Sequence, residues 1–212
     1  MMWIESSGGV ALEARWDDPI GPALGVVVFC HPHPLDQGTM NTPLMRQVAA
    51  VLSGAGLHVL RFNFRGVGMS EGSWGEGVGE VEDVAAAVAT AQLAFPDLPL
   101  GISGWSFGAS ASLAWQAHSG STVPWVGIAP GIRSYRGSAP PDPDGLTAAR
   151  RLIVFGDRDQ FATVEQMTDY ASRIGADLEV LEGSDHFFVF RERRVGSLVA
   201  AHFGGRPVTP QA

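Results

Sequence analysis

Apolar positions in this chain gather into short dense runs, separated by longer stretches in which they recur with helical period. Residues 24–30 (LGVVVFC), 58–64 (HVLRFNF), 98–104 (LPLGISG), 123–129, 152–156 (LIVFG) and 178–182 are the candidate strands, most of them nearly all apolar or small, the pattern of strands covered on both faces. A helix is predicted from Thr42-Pro43, a capping residue before proline at the first helical position. Its Leu44, Val48, Val51 and Leu52 share one face, and Gly54 and Gly56 supply the stop. Residues 80–95 form a second, with Glu80, Glu82 and Asp83 in the first turn, where acids complement the helix dipole, and Val81, Val84 and Val88 on one face. Residues 107–118 read as a small-residue helix. Thr163 to Gln166 is a capping box opening a helix that ends near Gly175, and 189–203 is a last amphipathic helix. Residues 4–16, with Gly8-Gly9 in the middle, read as a hairpin at the sheet edge. The alternation predicts an α/β fold, a mostly parallel central sheet with helices on both faces.

No repeat or break in composition divides the chain, so 1–212 is read as one domain, with 1–18 as an edge hairpin and 205–212 as a frayed tail. At 212 residues, 45% apolar, it has enough material for a full core. All 14 basic residues are arginine against 22 acids, and the net charge of -8 argues against a sequence-independent hold on nucleic acid or anionic lipid. Cys30 is the only cysteine, so no internal disulfide forms. The N-terminal residues lack a secretory signal, and no apolar run approaches the roughly 20 residues of a membrane-spanning helix. The expectation is a soluble cytoplasmic protein, a monomer or homodimer.

Two irregular stretches, 66–79 and 131–145, follow predicted strands and so belong at the carboxyl edge of a parallel sheet, where such folds hold their sites. Gly104-Trp105-Ser106-Phe107-Gly108 fits G-x-S-x-G, the sharp strand-to-helix turn that lifts a serine hydroxyl out of the sheet. A serine hydroxyl is a weak nucleophile that needs a base, and the base needs an orienting carboxylate. Both follow in the order Ser, Asp, His. Gly156-Asp157-Arg158-Asp159 ends one predicted strand, and Ser184-Asp185-His186-Phe187-Phe188 ends the next.

These residues resemble the α/β-hydrolase family over about 20–205, in particular its small lidless bacterial predicted esterases, similar to dienelactone hydrolases. The resemblance implies Ser106 as nucleophile, His186 as general base and then acid, and Asp159 as orienting carboxylate, since Gly156-x-x-Asp159 matches the family's G-x-x-D. Asp157 is the alternative acid, and Asp185 is read as a turn residue. His31-Pro32-His33-Pro34 stands where the family has its H-G-x oxyanion loop. Proline has no N–H, so the implied donors are the backbone N–H groups of His33 and Phe107. Arg65-Gly66-Val67-Gly68-Met69-Ser70 is similar to the family's R-G-x-G-x-S, with a structural role for Arg65; its spacing and context do not fit dinucleotide binding. The stretch 131–151 is too short for the family's helical cap, which implies an open site. Leu35, Trp74, Trp105, Tyr135, Phe161 and Phe187, on or beside strand-end loops, are candidates for the substrate pocket.

His31-x-His33-x-x-Asp36 invites a metal reading, but no further histidine cluster completes it, and His31 is read as packing under the loop. No metal or cofactor is expected. Cys30 ends a predicted strand and is read as a core residue, because Ser106 holds the elbow position a nucleophilic thiol would need. The function expected is hydrolysis of small carboxylic esters through a Ser-His-Asp triad and an acyl-enzyme. The alternatives are a thioesterase or peptidase on the same triad, and a non-catalytic scaffold of this fold.

Overall fold

The computed structural model describes residues 1–136 and 138–207; the part of the expected tail at 208–212 lies outside them. In chain order the elements are β1 (Met2–Glu5), β2 (Ala11–Asp17), β3 (Gly25–Cys30), α1 (Pro43–Gly54), β4 (Leu57–Phe62), α2 (Val78–Ala94), β5 (Leu100–Trp105), α3 (Phe107–Ser119), β6 (Trp125–Ile128), β7 (Arg151–Gly156), α4 (Val164–Arg173), β8 (Ala176–Leu181) and α5 (Glu192–His202). One eight-stranded sheet runs in the order β1-β2-β4-β3-β5-β6-β7-β8. The β1–β2 and β2–β4 pairs are antiparallel and the rest are parallel.

Strand order and handedness together place the helices. A parallel crossover is right-handed, so the leftward step from β3 to β4 puts α1 on one face. The rightward steps that follow put α2, α3 and α4 on the other. After β8 the chain returns as α5, which packs against α1. Every residue of β3 is buried, and Val27 pairs across to Val59 while Val28 pairs to Ile102. Each such buried aliphatic or aromatic side chain contributes about 1.5–3 kcal/mol from leaving water.

Several boundaries differ from the pattern-based expectation for local reasons. β4 stops at Phe62 because the pairing with β2 opens there: the Asn63 N–H still reaches the Glu13 carbonyl, but the Ser70 hydroxyl accepts the Glu13 N–H and donates to the Asn63 carbonyl, and the Phe64 N–H goes to the His31 ring. α5 begins at Glu192, three residues later than expected, because Phe188 and Phe190 have φ of 53° and 63° and cannot be helical there. Thr42 precedes α1 as predicted but does not cap it. Its hydroxyl instead accepts the Thr39 N–H and donates to the Thr39 carbonyl, closing a turn. Glu80 does serve the start of α2, accepting the N–H groups of Gly75 and Gly77 at 2.8 and 2.9 Å. Asp83, fully buried, faces Arg65 rather than the helix end. Among the described residues no helix is long and apolar enough to cross a membrane.

Candidate active site

The carboxyl ends of β3, β5, β6, β7 and β8 converge on a cleft of about 600 Å³. β5 delivers Ser106, whose φ of 53° is the strained backbone of a sharp turn into α3. The turn is possible only with glycine on both sides. A Cβ on Gly104 would overlap the backbone of Gly108, and one on Gly108 would overlap the carbonyls of Cys30 and His31. α3 therefore starts pressed against the sheet with its N-terminal N–H groups at the cleft.

β7 delivers Asp159 and β8 delivers His186, and the two are hydrogen-bonded, His186 Nδ1 to Asp159 Oδ2 at 2.7 Å. Asp159 is fixed from its other oxygen, which accepts the N–H groups of Phe161 and Ala162 at 2.8 and 3.2 Å. The His186 backbone is held as well: its N–H donates to Gln160 Oε1 and its carbonyl accepts the Trp105 indole N–H. Ser106, Asp159 and His186 all line the one cleft. Asp157 is turned away from it and accepts the Ser184 N–H, while Asp185 accepts the Phe187 N–H. With the proton on Nδ1 held by a carboxylate, His186 presents Nε2 as a base.

The loop after β3 carries the two expected histidines in different surroundings. His31 is wholly buried, with Nδ1 2.6 Å from the Pro32 carbonyl and Nε2 accepting the Phe64 N–H at 3.0 Å. Burial holds its pKa down, at about 3, so the ring is neutral. His33 lies among Trp74, Phe107 and Tyr135, with ring centroids 4.8, 5.0 and 5.2 Å away. Its Nδ1 accepts the Leu35 N–H, which leaves the proton on Nε2, a buried atom with no partner among the described residues. Burial lowers the His33 pKa as well. The backbone N–H groups of His33 and Phe107 also lack partners among the described residues. Both ring nitrogens of His31 are occupied, and among the described residues no three His, Cys, Asp or Glu side chains converge on a possible metal position. Cys30 is buried, which pushes its thiol pKa up and leaves it unreactive.

Of the six pocket candidates, Trp105, Tyr135, Phe161 and Phe187 line the cleft. Leu35 and Trp74 do not. Leu35 sits in a short 3₁₀ turn, half exposed, and Trp74 packs behind the wall against His33 and Phe107. Ile132 and Phe155 join the lining. The strand-end rule points to Ile132, which follows β6. Phe155 belongs to β7 itself, and no feature of the sequence separates it from the core. Arg65 is held by Asp83 through its Nε and Nη2 at 2.7–3.1 Å, with Ser6 on the same carboxylate at 2.6 Å, so it ties the loop after β4 to α2 and the hairpin.

Residues 23–154 match the family described as serine aminopeptidase, S33. A protein from Rickettsia prowazekii is 30% identical over 193 residues, which cover 85% of this chain and 79% of that protein. The structure of an alpha-beta serine hydrolase homologue from Coxiella burnetii superposes with a TM-score of 0.82 at 30% identity, covering 94% of this chain and 95% of that one. An α/β serine hydrolase without lid from Xanthomonas campestris does so with a TM-score of 0.82 at 26% identity, covering 99% and 95%.

Proposed function

Because the chain belongs to the serine aminopeptidase S33 family, with the α/β-hydrolase fold, we propose that it is a serine hydrolase of small carboxylic esters, with 1–212 as one catalytic domain. The observation that carries this reading is the 2.7 Å bond between His186 and Asp159 in the cleft that also holds Ser106 on its strained turn. His186 Nε2 takes the Ser106 proton as Oγ attacks the ester carbonyl carbon. The N–H groups of His33 and Phe107 receive the oxyanion, and the alcohol leaves with the proton from His186. A water deprotonated by His186 then attacks the acyl-enzyme and releases the acid and Ser106.

The family's description favours a second reading, removal of an N-terminal residue from a peptide. Such a substrate carries an α-ammonium group that needs an acceptor beside the scissile bond. Two carboxylates line the cleft among the described residues, Asp159, committed to His186, and Asp36, paired with Arg136 at 3.2 Å. The remaining wall is largely aromatic and aliphatic, which suits the acyl or alcohol part of an ester.

The test is turnover of p-nitrophenyl esters from acetate to long chains and of aminoacyl p-nitroanilides, by the parent and a folded Ser106→Ala variant. Ser106-dependent ester hydrolysis with a chain-length optimum is expected. Faster turnover of the anilides would favour the peptidase. A folded parent that turns over neither, and is not labelled at Ser106 by a fluorophosphonate, would be a scaffold.

A further inference from the structure

His31 has a task that packing alone does not explain. The Phe64 backbone N–H is a donor under all conditions, so His31 Nε2, which accepts it at 3.0 Å, carries no proton. The single proton of the neutral ring is on Nδ1, which therefore donates to the Pro32 carbonyl at 2.6 Å. That carbonyl belongs to the same trans peptide plane as the His33 N–H. In a planar trans peptide the C=O and N–H point in opposite directions, so fixing one fixes the other. Gly38 closes the carbonyl from a second side: a Cβ there would overlap the Pro32 oxygen, and the Gly38 N–H donates to the His33 carbonyl at 3.0 Å. The plane is thus gripped on its carbonyl edge, and the unpaired His33 N–H leaves from the other.

We propose that His31 is a positioning residue, whose Nδ1–H holds the Pro32–His33 peptide so that the His33 N–H is aimed at the developing oxyanion before substrate arrives. This rests on the ester-hydrolase reading of the site. The proline loop gives the arrangement its logic. In the second position of an H-G-x loop glycine leaves the following peptide free to rotate, whereas Pro32 fixes its own φ, and the imidazole then fixes the remaining freedom about ψ. Preorganisation of this kind matters because a donor that must rotate into place during the reaction spends part of its stabilisation on the rotation.

Two substitutions separate the two nitrogens of the ring. The amide of asparagine reaches where Nδ1 stands and can donate to the Pro32 carbonyl. The amide of glutamine reaches where Nε2 stands and can accept the Phe64 N–H. If positioning is the task, His31→Gln lowers kcat about 100-fold with KM within about 3-fold, whereas His31→Asn loses less than about 10-fold. The ranking holds although both variants give up one of the two bonds and so unfold more readily than the parent. Equal kcat in the two folded variants, or a loss in KM alone, would overturn the proposal while leaving Ser106-dependent turnover intact. Absence of any Ser106-dependent turnover in the parent would instead remove the ester-hydrolase reading and this one with it. Nitrogen NMR of the parent provides a check that needs no variant. A protonated Nδ1 and bare Nε2 in His31 are expected, and the opposite tautomer would overturn the proposal.

Discussion

At the scale of single residues, the choice between Asp157 and Asp159 is made by how β7 ends. Both lie just beyond the last strand residue, but Asp159 Oδ1 is captured by two backbone N–H groups, which turns Oδ2 to His186, while Asp157 serves the Ser184 N–H. We predict that Asp159→Asn lowers kcat by about 10⁴-fold, since an amide neither fixes the Nδ1–H tautomer nor offsets imidazolium charge. Asp157→Asn is expected to stay within about 3-fold and to cost on the order of 1 kcal/mol of stability. Steady-state kinetics of the two variants decide it, and the reverse order would transfer the role to Asp157. That Ser106, Asp159 and His186 belong together could be read in the sequence from strand-end positions and from the resemblance to the family's G-x-S-x-G and G-x-x-D patterns, and the three do line one cleft. The state of His31 was not, because its tautomer is set by the N–H of Phe64, 33 positions away, and no local pattern encodes that meeting.

At the scale of elements, the parallel strands β3 to β7 could be read from their apolar runs, since a strand covered on both faces leaves little room for polar alternation, whereas β8, at the sheet edge, interleaves Asp177 and Glu179 with its apolar residues and buries only Leu181. What could not be read were the ends, where side chains compete for backbone groups. Thr42 closes a turn instead of capping α1, and the N–H of Phe64 is drawn off to an imidazole. Asp83 is the instructive case. Its position in the first turn of α2 invites a dipole argument, yet its carboxylate is the point where α2, the loop after β4 and the β1–β2 hairpin meet, through Arg65 and Ser6. With Asp83 neutralised, the partly buried Arg65 guanidinium loses the one carboxylate that it is bonded to among the described residues. Asp83→Asn is therefore expected to lower the unfolding free energy by about 3 kcal/mol, measured by chemical denaturation, with kcat/KM of the folded fraction within about 3-fold of the parent. A change below about 1 kcal/mol would mean that solvent reaches the pair.

At the scale of the whole molecule, the buried histidines make stability depend on pH. His31 is held near about 3 by burial when folded but returns to about 6.5 when unfolded. The folded state therefore binds fewer protons, and this contribution is fully present above about pH 6.5 and is lost as pH falls toward 3. His33 and His202 are also lowered by burial and act with the same sign. Between about pH 6 and about pH 4.5 the His31 share is about 2 kcal/mol, at about 1.4 kcal/mol per unit. Denaturation curves at the two pH values should show the parent losing about that much more than His31→Asn, which has no ring to protonate; parallel losses would mean that His31 titrates normally.

Between β6 and β7, among the described residues, the chain beside the cleft forms a bridge from Tyr135 to Ser138 and a 3₁₀ turn at Pro143–Gly145 but no longer helix. On the proposed route this decides where the acyl group goes. A roofed site can shelter an acyl-enzyme from solvent until another alcohol or amine collects the acyl group. Here the acyl-enzyme would lie in a cleft without a helical cap, so water competes with any other acceptor, whose share is set by its concentration, its nucleophilicity and its affinity for the cleft.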